Sequence, residues 1–350
     1  METKKILIVG AGIAGIALAR NLDKRQIPFE VIDAGVNYSS RIAAGLINPM
    51  VFRRMAKSWR VDEFLPVAKQ FYGDASEAFG RTYFHPIPIR RAFAHQQEVD
   101  FWVKKQELEE YKTYLKPLTE DDHNNQDVVN TFGTGQVLNA AYVATKHLLD
   151  DTFTWLKESN RLHIEQVTYQ DIDPELGTFK GVSYSHIIFC EGYHGLENPW
   201  FNYLPLQATK GETLSITSNE ISKGESLNRK CFVLPTGENT YKVGATYSWD
   251  NPTLNTTTEA KEELITQLQQ LTNGQFEVVD QEAGVRPTVL DRRPLMGQHP
   301  NHSQLYIFNG LGTKGYLMAP LLAEEMVDFV ISNKPLDREI DIQRYHKRLI

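Results

Sequence analysis

Gly10, Gly12 and Gly15, which follow the apolar run Ile6-Leu7-Ile8-Val9 and are answered by Asp33, have the types and spacing to hold a pyrophosphate. A continuously apolar strand ends at Gly10, and Gly12 lets the backbone approach the phosphates. Gly15 lets the next helix pack close to the sheet, so its N-terminal N–H groups and dipole face the anion. Ile13 and Ala14 lie between the glycines, and Ile13, Ala17, Ala19 and Leu22 mark the apolar face of that helix. A second apolar strand, Phe29-Glu30-Val31-Ile32, delivers Asp33, followed by Ala34, to an adenosine ribose. A carboxylate accepts ribose hydroxyls and repels a 2′-phosphate, which argues against NADP and leaves FAD and NAD open.

Near the other end of the chain stand two further groups with chemistry. Arg286, in Gly284-Val285-Arg286-Pro287, carries a planar guanidinium that can take a carboxylate through two parallel hydrogen bonds; the alternative is a salt bridge between domains. Gly312-Thr313-Lys314-Gly315-Tyr316 precedes an amphipathic helix with Leu317, Leu321, Leu322, Met326 and Phe329 on one face. Pro320 suits a first turn, so the helix is expected to open between Gly315 and Pro320. Backbone N–H groups there, with the Lys314 cation, would face developing negative charge; the alternative is an ordinary helix start with a solvated lysine. Arg292 and Arg293 read as structural, one pairing with Asp291 or covering the sheet edge.

The elements that must position these groups are interleaved. Parallel-strand signals occur at Ile6 to Val9, Ile187 to Cys190 and Leu305 to Phe308, and one sheet must collect them all. Between them, Thr213 to Ile216, Cys231 to Leu234 and Tyr241 to Thr246 are short β-rich runs with the turn Pro235-Thr236-Gly237, as in an antiparallel sheet. The expected fold is α/β, a Rossmann-type domain with an inserted antiparallel-sheet α+β domain. Phe101 to Leu115 reads as a helix of the insert, Asp121-Asp122-His123-Asn124-Asn125 as a loop, and Asn251 to Thr258 as a polar stretch before a helix from about Glu259 to Leu271.

Composition excludes several classes. The 350 residues suffice for two or three structural units, and a hydrophobic fraction of 41% is ordinary for a globular protein. A net charge of −7 opposes nucleic acid as the partner. Cys190 and Cys231 lack paired or metal-like spacing and read as buried thiols in a reducing compartment. The ten histidines show no metal-ligand spacing, so no metal is expected. The apolar run before Gly10 is too short for a signal-peptide core, and no stretch approaches the ~20 apolar residues of a membrane span. A cytoplasmic protein is the expectation.

The glycine fingerprint, Gly284-Val285-Arg286-Pro287 running on to Arg293-Pro294-Leu295-Met296-Gly297, and Asn309-Gly310-Leu311-Gly312-Thr313-Lys314-Gly315-Tyr316 together resemble the D-amino-acid oxidase family of FAD-dependent enzymes. The likeness is strongest to its glycine oxidase and sarcosine oxidase branch. The chain is also similar to the FAD domain of the bifunctional enzyme that trims carboxymethylaminomethyl-uridine in tRNA. The resemblance runs through essentially the whole chain in order.

That resemblance implies a discontinuous FAD-binding domain over 1–70, 135–205 and 283–350, and a substrate domain over 71–134 and 206–282. It also implies further cofactor contacts. Ser39 to Pro49, with Ser40, Arg41, Ala44, Gly45 and Leu46, looks like the family's second flavin-contacting turn. Val167 is placed like the strand residue that brackets the adenine, and Cys190-Glu191-Gly192 resembles the turn after the late Rossmann strand, with Cys190 and Gly192 as contacts. Lys210-Gly211-Glu212 sits where the family enters its substrate sheet.

Catalytic roles follow for three residues. The family's arginine at the Arg286 position anchors a substrate carboxylate over the flavin, Lys314 assists charge on the reduced ring, and Tyr247 falls where a side chain stands above it, the alternative being a core tyrosine. The chain departs from the family at Phe232, where several members carry a carboxylate-binding tyrosine. Arg53, Arg54 and Lys57 form a basic cluster suited to a second acidic group, or a solvated face. The implied activity is oxidation of the CH–NH bond of a small carboxylated amine by hydride transfer to non-covalent FAD, with oxygen or a carrier as acceptor. Alternatives are a 2-hydroxy-acid dehydrogenase, an oxidase acting on a carboxymethylaminomethyl group of tRNA, and a flavin-binding protein without turnover.

Overall fold

Ile6, Leu7, Ile8 and Val9 are all buried, as a strand covered on both faces must be. In the computed structural model, which describes residues 4–36, 38–123, 128–250 and 252–348, this strand is flanked in parallel by Phe29–Asp33 and His186–Phe189. Leu162–Ile164 and Leu305–Asn309 extend the parallel sheet on either side, and Leu295–Gln298 closes it antiparallel. The three distant strand signals of the sequence therefore stand side by side. Ile8 faces the helix Ile13–Lys24, with its Cγ2 3.4 Å from where a Gly15 Cβ would be. Leu7 and Val9 face the opposite way, into a cluster with Ile172, Phe179, Phe201 and Leu204.

Ile13–Lys24 packs against the late helix Gly315–Ser332, which begins inside the expected window. A Cβ on Gly315 would come within 3.2 Å of Ile13 Cγ2, and Arg25 pairs with Asp328 at 2.5 Å. These elements belong to the first of two compact units, Met1–Arg41, Thr145–Thr209 and Val285–Ile350.

The second unit comprises Ile42–Ala144 and Lys210–Gly284, so that 42–70 and 135–144 group with it. Its main sheet runs in the order Glu277–Val289, Leu206–Thr217, Thr240–Gly244, Phe232–Pro235, Ser226–Asn228, Ile89–Ala92, Thr134–Val137. Leu214, Ile216, Val233, Tyr241 and Val243 of the sheet bury Leu264 and Leu268 of the helix Thr258–Gln269, whose Thr257 cap accepts the Ala260 N–H.

Three local expectations are corrected. The single helix over 101–115 is two, Gln96–Gln106 and Glu109–Lys112, because the chain must turn for Leu115 to bridge Val137 and for Lys116 O to accept the Trp102 indole N–H at 3.1 Å. Asp121 to His123 is no loop: Glu120–His123 is a helical turn, pinned where the Asp122 carboxylate accepts the Thr119 N–H and meets Arg90. Asn124, Asn125 and Asn251 lie outside the described residues. Arg293 pairs its guanidinium with Glu339, while Asp291 takes only its backbone N–H and is paired with Arg344. Among the described residues no helix is long and apolar enough to cross a membrane, and no group of His, Cys, Asp and Glu could hold a metal ion.

Candidate functional site

Close backbone approach builds the glycine turn. Gly10 has φ +100°, and a Cβ there would sit 2.5 Å from Cys190 O; at Gly15 a Cβ would sit 1.9 Å from Gly10 O. No side chain fits either place. Gly10 N–H donates to Ile32 O and Cys190 N–H to Val9 O, both at 2.7 Å, so the sheet ladder itself carries the turn. Gly12 caps the helix Ile13–Lys24 without a side-chain hydrogen bond, and the first turn carries no acid. Such a helix start complements an anion.

Asp33 is buried at the end of its strand. Its Oδ2 accepts the Ala11 N–H at 2.6 Å and its Oδ1 accepts the Gly35 N–H at 2.7 Å. Each oxygen keeps a second lone pair for a ribose hydroxyl. Ala34 is exposed beside it, and the half-buried Val167 packs against the cluster beneath the sheet.

Ser39 and Ser40 join the rest of the site. Ser40 Oγ accepts the Ile13 N–H at 3.1 Å, Ser40 O accepts the Tyr316 hydroxyl at 2.7 Å, and Ser39 Oγ donates to Val285 O at 2.5 Å. One short helix, Tyr38–Ile42, thus ties the phosphate-type turn to the late helix and to the residue preceding Arg286. Gly312, at φ +56°, completes the convergence: its Cβ position is 3.9 Å from Thr288 Cγ2 and 4.0 Å from Pro287 O. Arg286 is half-buried on this strand end, and Thr313 is exposed. Desolvation pushes the half-buried Lys314 ammonium down to about 8, and burial pushes the Tyr316 phenol up. Arg41 is engaged in an ion pair with Asp150, and its carbonyl accepts the Thr145 hydroxyl.

Gly10, Gly12, Ile13, Ala14, Gly15, Asp33, Ala34, Ser40, Arg41, Val167, Cys190, Gly192, Arg286 and Gly312 to Tyr316 all belong to the first unit. Ala44, Gly45, Leu46 and Tyr247 belong to the second. There Gly45, at φ +68°, accepts the Val143 N–H on its carbonyl, Leu46 pairs with Tyr142, and Tyr247 is 54% exposed. The Phe232 ring lies against Gly244, whose Cβ position is 3.1 Å from Phe232 Cζ.

Two groups are named in the sequence motifs without the role that the structure gives them. Glu191, between Cys190 and Gly192, accepts the Tyr169 hydroxyl at 2.8 Å and the Asn198 amide at 2.9 Å. Its signal was a carboxylate following the apolar run Ile187 to Cys190. In the second unit Lys210 and Glu212 form a buried pair at 3.1 Å, and Glu212 also accepts from Thr257 N, Thr257 Oγ1 and Gln281 Nε2. No local pattern announces partners so distant in sequence.

A turn that only glycine fits, an acid-free helix start whose cap residue is glycine and a carboxylate at the strand end together fit the pyrophosphate and ribose of FAD. The comparisons agree with that donor set. The tRNA 5-methylaminomethyl-2-thiouridine biosynthesis bifunctional protein MnmC of Idiomarina loihiensis is 24% identical over 345 residues, covering 92% of this chain and 55% of that protein. Its counterpart in Marinobacter nauticus is 21% identical, covering 99% of this chain and 59% of that one, so the chain spans little more than half the length of these relatives. Glycine oxidase of Bacillus licheniformis is 32% identical over 131 residues, 35% of this chain and 34% of that one. Among solved structures, glycine oxidase from Geobacillus kaustophilus superposes with a TM-score of 0.81 at 16% identity, over 99% of this chain and 98% of that one. Iminodiacetate oxidase from Chelativorans gives 0.80 at 18% identity, over 97% and 98%. The pattern of the FAD dependent oxidoreductase (DAO) family matches residues 5–329. The chain belongs to the DAO family of FAD-dependent oxidoreductases, and it is an enzyme of that kind.

Proposed function

We propose that the chain oxidises the CH–NH bond of a small carboxylated amine, an amino acid or N-substituted glycine, to the imine. The observation that carries this reading is the convergence, within one unit, of the glycine turn, the Arg286 strand end and the Gly312–Lys314 turn through Ser39, Ser40 and Gly312. FAD, when bound by these residues, would supply the hydride-accepting chemistry. Gly10, Gly12 and Gly15 hold its pyrophosphate and Asp33 its adenosine ribose. Arg286 orients the substrate carboxylate through its planar fork, which fixes the amine-bearing carbon. Lys314 and the N–H groups opening Gly315–Ser332 face the charge that develops on reduction. Tyr247 and Phe232 lie on the second unit, where Tyr247 offers a hydroxyl for a substrate and Phe232 is apolar at a place where a tyrosine would offer another.

FAD is held without a covalent bond. Cys190 and Cys231 are both free and buried, and desolvation pushes both thiols up, Cys231 to about 12. A thiol so held is a poor nucleophile. Two free thiols also suit a reducing, cytoplasmic setting. Oxygen or a small carrier would be the electron acceptor.

A second reading, in which the amine is carried on a tRNA wobble uridine, draws on the likeness to MnmC over 92% of the chain. Anaerobic mixing of the flavin-loaded protein with glycine, sarcosine and iminodiacetate, and separately with carboxymethylaminomethyl-uridine, tests both. Bleaching by the free amines supports the first reading, and bleaching by the nucleoside alone replaces it with the second.

A further inference from the structure

The turn Cys190-Glu191-Gly192 is the other wall of the glycine cradle. The Cβ position of Gly10 is 2.5 Å from Cys190 O and 3.4 Å from Glu191 Cα, so Glu191 departs from the backbone that meets the phosphate-type turn. Its carboxyl group is turned inward and held at both oxygens, by Tyr169 Oη at 2.8 Å and Asn198 Nδ2 at 2.9 Å. Tyr169 belongs to the turn Tyr169–Asp171, two residues beyond Val167, and meets Trp200 edge to face at 5.8 Å. Asn198 is buried and caps the following turn by accepting the Trp200 N–H. Gly192, at φ +60°, gives its carbonyl to the Asn309 amide at 2.8 Å. Glu191 thus ties this wall to Tyr169 and Asn198, and Gly192 ties it to Asn309.

The backbone that carries this carboxylate meets the turn that would hold the FAD pyrophosphate, with the Glu191 Cα 3.4 Å from the Gly10 Cβ position, and like charges oppose one another. We propose that Glu191 is a positioning residue for the cofactor that takes up a proton when FAD binds, which makes FAD affinity fall as pH rises through the neutral range. The inference rests on FAD occupying the cradle. Desolvation already pushes this carboxyl up to about 7, the Asn198 and Tyr169 hydrogen bonds opposing the rise and Glu197 adding to it.

The direction follows from linkage. A bound dianion raises the Glu191 pKa further, so the complex carries a proton that the apoprotein has lost, and affinity declines with pH between the two pKa values. The groups facing Glu191 are the phenol of Tyr169 and the thiol of Cys190, both pushed up by burial and charged at neither end of this range, with Glu197 and the amide of Asn198. His194 on the same turn donates its backbone N–H to Glu191 O. Lys314 loses its charge near the same pH, so the wild-type slope is read against a variant that keeps both His194 and Lys314.

The test is FAD affinity of apoprotein, by quenching of flavin fluorescence, from about pH 6 to 9, with calorimetry in two buffers of different ionisation enthalpy to count protons. Wild-type affinity is expected to fall about tenfold more across this range than that of Glu191→Gln, the fall expected for a one-unit pKa difference, with net proton uptake on binding that the variant lacks. Tyr169→Phe removes one donor to the carboxylate and moves the midpoint of the fall to higher pH. Parallel profiles for wild type and Glu191→Gln, or equal proton counts, overturn the proposal while leaving FAD binding intact. Failure of the wild type to bind FAD at any pH overturns this inference and the cofactor assignment together.

Discussion

Asp33 Oδ2 accepts the Ala11 N–H at 2.6 Å, so the acid that ends the second strand is also a fastening of the glycine turn. Under the proposed function one side chain would serve the cofactor twice, once by shaping the cradle and once by offering lone pairs to the ribose. Asp33→Asn presents an N–H₂ in place of one oxygen and must break either the Ala11 or the Gly35 hydrogen bond. FAD affinity is expected to fall about 10- to 100-fold, from the loss of one or two charge-assisted bonds. Fluorescence titration of the apoprotein reads the change, and wild-type affinity in the variant would refute the assignment.

Gly15→Ala tests the cradle from the other side. The added methyl would lie 1.9 Å from Gly10 O, with backbone on both sides of the clash. Either helix Ile13–Lys24 or the turn must move, at a cost of about 1–3 kcal/mol. The variant is expected to lose FAD affinity and melt several degrees lower, as thermal unfolding with and without FAD would show. Gly73→Ala is its control, since nothing lies within 4 Å of a Cβ there.

Much of this was legible because short-range chemistry forces it. A strand buried on both faces must be apolar throughout, and Gly10 and Gly15 are where backbone meets backbone, so the parallel sheet and its cradle can be read from local runs. Longer-range pairing was not. Lys210 and Glu212 are polar residues on a strand until Thr257 and Gln281 close around them. The helix break near Leu108 obeys the docking of Leu115 on Val137, which outweighs a helix-forming run lacking Gly and Pro. Ser39 forms its hydrogen bond to a carbonyl 246 residues away, which no spacing rule announces.

Arg286→Lys keeps the charge and removes the planar fork. Under the proposed function KM for a carboxylated amine rises about 10- to 100-fold, the equivalent of one or two lost hydrogen bonds to a charged group. FAD affinity stays at the wild-type value. Steady-state kinetics combined with the fluorescence titration separates the two effects; an unchanged KM would return Arg286 to a structural role.

Lys314 carries a desolvated ammonium pushed down to about 8. In the window between that value and the ordinary lysine value the unfolded chain binds more protons than the folded one, so the apoprotein gains stability as pH rises through it. Lys314→Met is expected to stabilise the apoprotein at neutral pH by about 1–2 kcal/mol and to flatten this pH dependence, while slowing flavin reduction. Denaturant unfolding at about pH 7 and 9.5, beside stopped-flow reduction, checks both halves. A variant destabilised at neutral pH with unchanged reduction would contradict them.

The most direct measurement is anaerobic photometric titration of the FAD-reconstituted protein with sarcosine, glycine and iminodiacetate beside lactate and glycolate. The account predicts a bound flavin spectrum that bleaches fully with at least one carboxylated amine and not with the hydroxy acids. A flavin that stays oxidised with every amine and bleaches with a hydroxy acid would contradict it.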